Sequence, residues 1–252
     1  MKVTSHWLGK GKPWKTPYYI ANGSSPGSTL MITSGVHGNE RASVNAAKKL
    51  LGLLQEGEMF IQAGKLILVP IVNQEAYRLR IRGIPDLNRT FPRRPSQGAC
   101  HPLSAAMFGL MQRHRPSWFI DLHEANGLSQ FNRHVLGQTL VTQPDRQSAV
   151  TARRIVRSVN RSIPQSSNRF NVRLHHLRGS GRTAAYRFIN ARAITVETCW
   201  SLPFSERVHY QLQIVRQLLI ESNLVTDEES CTNSAAVSNY RVRPMKIKRS
   251  CH

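Results

Sequence analysis

A chain of 252 residues with 40% apolar content can bury one substantial core or two small ones. No apolar run approaches the roughly 18 to 20 residues that span a bilayer, and the four cysteines (Cys100, Cys199, Cys231, Cys251) lie far apart without a Cys-x-x-Cys, which argues against a thiolate metal site or a disulfide framework and fits a reducing cytoplasm. The net charge of +21, carried by 26 Arg and 9 Lys, favours anionic partners, but the arginines are spread along the whole chain and by themselves name none.

From the amino terminus, Met1 to Trp7 contains a lysine but no apolar stretch before Lys10, so no secretory signal is expected. Residues 2–7 and 17–21 are suited to short edge strands, with Asn22-Gly23-Ser24-Ser25-Pro26-Gly27 as a turn cluster between elements. Leu30–Thr33 reads as a buried strand that runs into Gly35-Val36-His37-Gly38-Asn39-Glu40. Ala42–Leu54 carries apolar residues at Val44, Ala47, Leu50, Leu51 and Leu54, the stripe of a helix. Lys65–Val72 is nearly continuous in apolar residues, the mark of a strand covered on both faces. Strand, helix, strand in this order predicts an α/β layered architecture.

The stretch 77–95 is irregular and rich in arginine (Arg78, Arg80, Arg82, Arg89, Arg93, Arg94). Ser104–Arg113 is expected to be a helix, stopped by Arg115-Pro116. Ser117–Leu122 is a third strand, running into His123-Glu124. A strand over Val135–Val141 and a helix over Pro144–Asn160 follow, the helix offering Val150, Ile155, Val156 and Val159 for burial. Asn171–Leu177 is expected as a strand, Arg182–Asn190 as a short helix, and Ala193–Val196 as a buried strand delivering Glu197. A last helix covers Pro203–Ser222, with proline near its first turn. Residues 1–222 thus read as one domain. Residues 223–252 read as a tail, acidic over 227–239, basic over 241–248 and too polar to order itself.

His37 and Glu40 are three apart, so a helical first turn would put both on one face. An imidazole with a carboxylate is half of a common zinc site, and the two flanking glycines allow a tight turn and close approach to a ligand. Alone the pair is weak, because surface helices carry such spacings by chance. In open α/β sheets, however, ligands collect beyond the carboxyl ends of the strands. Four such ends here carry reactive residues: His37/Glu40, the Asp86–Arg89 loop, His123 and Glu197. His37, Glu40 and His123 together make a two-histidine, one-carboxylate set that leaves a position for water, whose pKa zinc lowers to about 7. Proton transfer at such a site needs a base, and Glu197 is the natural candidate. The plain alternative for Glu197 is a salt bridge to one of the many arginines.

The segments Gly35-Val36-His37-Gly38-Asn39-Glu40, Asp86-Leu87-Asn88-Arg89, Asp121-Leu122-His123 and Thr195-Val196-Glu197 resemble, in order, the four signatures of the succinylglutamate desuccinylase/aspartoacylase family, within the zinc carboxypeptidase superfamily. The resemblance covers roughly residues 28–222. It implies a three-layer fold, a mixed central sheet with helices on both faces. It implies one zinc ion per chain, held by His37, Glu40 and His123, with Glu197 as general base. It places Asn88 and Arg89 on the substrate's carboxylate, a role suited to the guanidinium fork. A further arginine that polarises the scissile carbonyl falls on Arg82 or Arg80, between which the spacing does not select. Family members carry a further β-rich domain; only a short polar stretch follows Ser222 here, so a more open site is expected. Asp121 is expected to orient a ligand histidine or cap the loop, and Glu124 to be a supporting or spare carboxylate.

The leading expectation is a zinc hydrolase of amide bonds, an N-acyl amino-acid deacylase acting on a small acidic N-acyl amino acid or peptide, with no membrane partner. A zinc carboxypeptidase or peptide amidase is the alternative. A basic nucleic-acid-binding module is a further one, but aromatics are not interleaved with the basic residues as base stacking requires. A pseudoenzyme that keeps the fold for partner binding is opposed by the presence of every expected ligand and the base.

Overall fold

The computed structural model describes residues 1–226. The expected acidic and basic tail segments, 227–239 and 241–248, lie outside the described residues. Leu224, placed in the tail on composition, is buried and its carbonyl accepts from the Gln62 backbone at 2.8 Å.

Eight strands form one sheet: β1 (Val3–Leu8), β2 (Thr16–Asn22), β3 (Ser25–Ser34), β4 (Ala63–Val69), β5 (Trp118–Ala125), β6 (Thr139–Thr142), β7 (Asn171–Leu174) and β8 (Arg192–Cys199). Their order is β1-β2-β4-β3-β5-β8-β6-β7. The central four, β4, β3, β5 and β8, run parallel, whereas β1 and β2 join one side and β6 joins β8 antiparallel. The sheet is therefore mixed, as expected.

Helices cover both faces, and the period-two alternation of the strands decides which residue meets which layer. Leu30, Ile32, Leu66, Leu68, Ile120 and Ile194 pack with α1 (Arg41–Glu56), α4 (Arg146–Asn160) and α6 (Phe204–Glu221). Met31, Ile67, Val69, Phe119 and Ala193 point the other way, against α3 (Pro102–His114) and α5 (Gly181–Ala184), which continues as a π-helical turn through Ile189. Each Leu, Ile, Val, Met or Phe among them, fully buried, contributes about 1.5–3 kcal/mol. Among the described residues no helix is long and apolar enough to cross a membrane.

Some boundaries moved for local reasons. The strand expected over Val135–Val141 begins only at Thr139, because Gln138 adopts a left-handed φ of 59° that breaks the extended run. The Lys65–Val72 run leaves the ladder after Val69, at Pro70, which has no N–H to give it. Val150 is not buried: it is 51% exposed, because the buried face of α4 runs through Ala149, Ala152, Ile155, Val156 and Val159. A short helix, α2 (Gln74–Leu79), reaches into the start of the stretch expected to be irregular, residues 77–95.

One feature of the register positions the site. Pairing of β3 with β5 ends at Ser34 and Leu122, while β5 and β8 stay paired through Ala125 and Cys199. His123 and Glu197 are partners on the first rung past the end of β3. They lie inside their strands rather than beyond them, and the space that β3 vacates is filled by its own exit loop, residues 35–40.

Candidate functional site

The exit loop turns at Gly35, whose φ of 63° suits glycine. Glu40 is not in a helical turn with His37, as the spacing alone suggested. It is the residue before α1, with φ −87° and ψ 69°, and residues 37–39 form a turn ahead of it. The second glycine approaches protein, not ligand: a Cβ on Gly38 would lie 1.9 Å from the Ala76 carbonyl of α2. The loop is thus seated on α2, with the side chains of His37 and Glu40 both buried.

His37, Glu40 and His123 are all buried, and each offers a ligand atom within 4.8 Å of the other two. The Nδ1 of His37 is 2.6 Å from Glu40 Oε1, and the Nδ1 of His123 is 2.7 Å from Glu40 Oε2. Behind the rings stand two further carboxylates. The Nε2 of His37 lies 3.0 Å from Asp86 Oδ1, and that of His123 lies 2.9 Å from Asp121 Oδ2. A carboxylate on the outer ring nitrogen fixes the Nε2–H tautomer and turns the Nδ1 lone pair inward, the arrangement that supports metal-bound histidine. Asp121 is itself held by the Thr33 hydroxyl, which donates to Oδ1 at 2.7 Å. Donor set, convergence and outer carboxylates all fit a divalent cation.

The charges follow from these contacts. Burial alone would raise the Glu40 carboxyl, but the two imidazoles bring it down to about 2. Burial opposes charge on His123, yet Asp121 and Glu40 overcome it and hold its pKa well above the usual value. His37 is raised in the same way, by Asp86 and Glu40 against burial. Asp86 sits well below the carboxylate range, since His37 and Arg82 outweigh its partial burial. Glu197 differs. Although its side chain keeps some exposure, burial pushes its carboxyl up to about 7; His123 opposes this and the Glu40 carboxylate adds to it.

Of the two arginines between which spacing did not select, Arg82 reaches the cluster. Its Nη1 is 3.8 Å from Glu40 Oε1, and its Nε and Nη2 donate to Asp86 Oδ2 at 3.2 and 3.0 Å. Arg80 is exposed and ends α2 in a left-handed conformation. Asn88 and Arg89 form part of a one-turn helix capped by Asp86, whose Oδ1 accepts from the Asn88 backbone. The buried Asn88 accepts from the Gly181 N–H at 3.0 Å, and its Nδ2 stands 3.4 Å from His123 Nε2. Arg89 is anchored by one bond to the Asn88 carbonyl, with its side chain 43% exposed.

Glu124 takes no part in the cluster. It projects from the opposite face of β5, accepts from the Ala42 N–H at the start of α1 at 2.7 Å, and pairs with Arg207 of α6. Two residues at the site were not singled out from sequence. Asp86 was quoted in a motif, but nothing local ties it to His37, 49 positions away. Arg182 is buried and donates to the His175 carbonyl, while its Nη1 has no partner. Burial brings its pKa down to about 10, against the favourable fields of Asp121 and Glu197. Sequence offers no signal for a buried arginine in a chain that has 26 of them.

The fold recurs in solved proteins. Cell shape determinant Csd4 of Helicobacter pylori superimposes with a TM-score of 0.70 at 18% identity, covering 82% of this chain and 55% of that one. A candidate metallopeptidase from Shewanella amazonensis matches with a TM-score of 0.69 at 16% identity, covering 87% of both chains. At these identities the likeness speaks for the fold. Sequence relatives go further. Succinylglutamate desuccinylase of Erwinia tasmaniensis is 28% identical over 97% of this chain and 71% of its own length. That of Photorhabdus laumondii is 31% identical over 53% of this chain and 43% of its own. Residues 26–222 match the succinylglutamate desuccinylase/aspartoacylase catalytic domain, a span that runs from the second residue of β3 past the end of α6 and contains every residue of the cluster. The chain belongs to the succinylglutamate desuccinylase/aspartoacylase family.

Proposed function

We propose that this chain is a zinc-dependent hydrolase of amide bonds, most simply an N-acyl amino-acid deacylase. The observation that carries the reading is the inward convergence of His37 Nδ1, Glu40 and His123 Nδ1, each histidine backed by its own carboxylate, with Glu197 opposite His123. Zinc bound by these three residues supplies Lewis acidity and acidifies water to a pKa of about 7. Glu197, with a pKa of about 7, accepts the proton of the attacking water and returns it to the leaving amine. Arg82, within 3.8 Å of Glu40, carries the positive charge that steadies the developing negative charge on the carbonyl oxygen.

Substrate binding falls to arginines with free donors. Arg89, held by only one of its nitrogens, presents the rest of its fork to a carboxylate, with the side-chain amide of Asn88 beside it. Arg182 adds an unpartnered Nη1 in a buried position, where a second anionic group is most strongly held. The preferred substrate is therefore a small acidic N-acyl amino acid. A peptide end is the second reading, favoured by the exposure of Arg82 and Arg89, and a cytoplasmic location suits either.

The test is metal content of the purified chain, wild type beside His123→Ala. The expected result is about one zinc per wild-type chain and none in the variant, as a three-ligand catalytic site requires. Hydrolysis of N-acyl amino acids should then accompany the metal. A wild-type chain that binds no divalent ion, even on addition of zinc, would sink the reading.

A further inference from the structure

Beside the proposed active site lies an open pocket of about 680 Å³, lined by Arg93, Arg94, Ser96, Gln97, Arg178 and Arg187. It is made by the same two segments that carry the proposed substrate-binding arginines. The first continues from Arg89: Arg93 donates to the Arg89 carbonyl at 3.1 Å, and the Cys100 N–H closes the loop onto the Thr90 carbonyl at 2.8 Å. The second leads into Arg182. The Gly179 carbonyl accepts from the Phe91 N–H at 3.0 Å, and a Cβ on Gly179 would meet the Arg89 carbonyl at 2.6 Å. Arg187 is held over the Phe188 ring, 5.6 Å from its centroid.

Four guanidiniums share this wall, and no carboxylate lines it. Among the described residues, none of the four takes part in an ion pair. Their field also reaches past the pocket. After burial, Arg187, Arg182 and Arg178 lower the pKa of His176, and Arg182, Arg173 and Arg89 lower that of His175. Both imidazoles are thereby disfavoured as cations. Like charges gathered without counter-charge repel one another, and an anionic ligand relieves that repulsion.

Resting on the reading that Arg89 holds a substrate carboxylate, we infer that this pocket is a second anion subsite, which receives the far end of an acidic peptide bearing two or more carboxylates beyond the one at Arg89. At about 680 Å³ the pocket falls within the roughly 300–1,000 Å³ of clefts that hold drug-sized ligands, more than one amino acid fills. Guanidinium forks match carboxylates in pairs. No aromatic ring lines the wall, so a nucleic acid would find phosphate partners but no platform for its bases.

Binding of fluorescein-labelled tetraglutamate, followed by anisotropy at fixed salt with N-acetylglutamate as competitor, tests this without requiring turnover. Wild type should hold tetraglutamate at least tenfold tighter than N-acetylglutamate. Arg94→Gln/Arg187→Gln should lose that advantage, and Arg94→Gln alone should lose part of it. Arg153→Gln/Arg157→Gln, which removes equal charge from the exposed side of α4, should retain it. Equal loss in the α4 variant, no preference for tetraglutamate in wild type, or stronger competition by a uridine oligonucleotide of equal charge would each overturn the inference. The two readings fail separately. Pocket-dependent binding with no amide hydrolysed removes the proposed activity and leaves the subsite. Hydrolysis of N-acyl amino acids with no gain from tetraglutamate does the reverse.

Discussion

A carboxyl group that titrates near neutrality beside a pair of metal-ligand imidazoles is suited to one task, moving a proton to and from water at physiological pH. Glu197 meets this through its place in the sheet: burial raises it to about 7, and its register partner is His123. Glu197→Gln keeps the shape and removes the proton acceptor. It is expected to retain one zinc per chain while turnover falls by about 10²–10⁴. The base acts when deprotonated, so wild-type kcat/KM should rise with pH through the Glu197 pKa. A bound dication favours the carboxylate, so this limb is centred at or below pH 7. A variant with wild-type turnover and the same acid limb would remove Glu197 from the role. The proposed ligand residues and base were legible because each lies near the carboxyl end of a strand or in the loop that follows it, and one-dimensional reading finds such places well. The partner of His37 was not, since the approach of Asp86 is set by the loop after β4 and by no local spacing. Glu124 could have been read: strict alternation puts it on the face of β5 opposite His123, where it caps α1.

At the scale of the element, the exit loop of β3 shows how a backbone contact holds a site in place. The α1 stripe and the α/β order were plain from periodicity, but periodicity cannot reveal that Gly38 lies against the backbone of α2 rather than against a ligand. Two glycine-to-alanine substitutions separate these situations. Gly38→Ala drives a Cβ to within 1.9 Å of the Ala76 carbonyl, and a Cβ has no rotamer by which to escape. The loop must lift, at a cost of about 1–3 kcal/mol for overpacking. That corresponds to a fall of roughly 2–12 °C in Tm for a domain of this size, and metal affinity should fall with it because His37 moves. Gly52→Ala, within α1, meets nothing closer than Glu56 Oε1 at 3.9 Å. It should raise stability by about 0.5–1 kcal/mol through helix propensity. Thermal unfolding of both reads the contrast; a Gly38→Ala chain as stable as wild type would show that the loop does not rest on α2.

At the scale of the whole molecule, the cluster links stability to pH and to metal with opposite signs. Without metal, the folded chain keeps imidazolium beside carboxylate. His37 and His123 have folded pKa values above the unfolded value of about 6.5, so their contribution is complete below that pH and is lost as pH rises through the folded values. Glu40, lowered to about 2 from an unfolded value near 4.5, contributes above 4.5 and loses its contribution as pH falls toward 2. The metal-free cluster is thus most stabilising between about pH 4.5 and 6.5, and weakens on the alkaline side. Metal must displace the same imidazole protons, so its apparent affinity climbs with pH, by up to tenfold per unit for each proton released while both rings remain protonated. Each factor of ten adds about 1.4 kcal/mol of stability when the ion is in excess, worth roughly 2–4 °C. The gain in Tm from added zinc over chelator should therefore be small near pH 5.5 and grow steadily to pH 8, and His123→Ala should abolish it. A gain that stays constant across this range at fixed salt would mean that the ion binds elsewhere, on groups whose protons it does not displace.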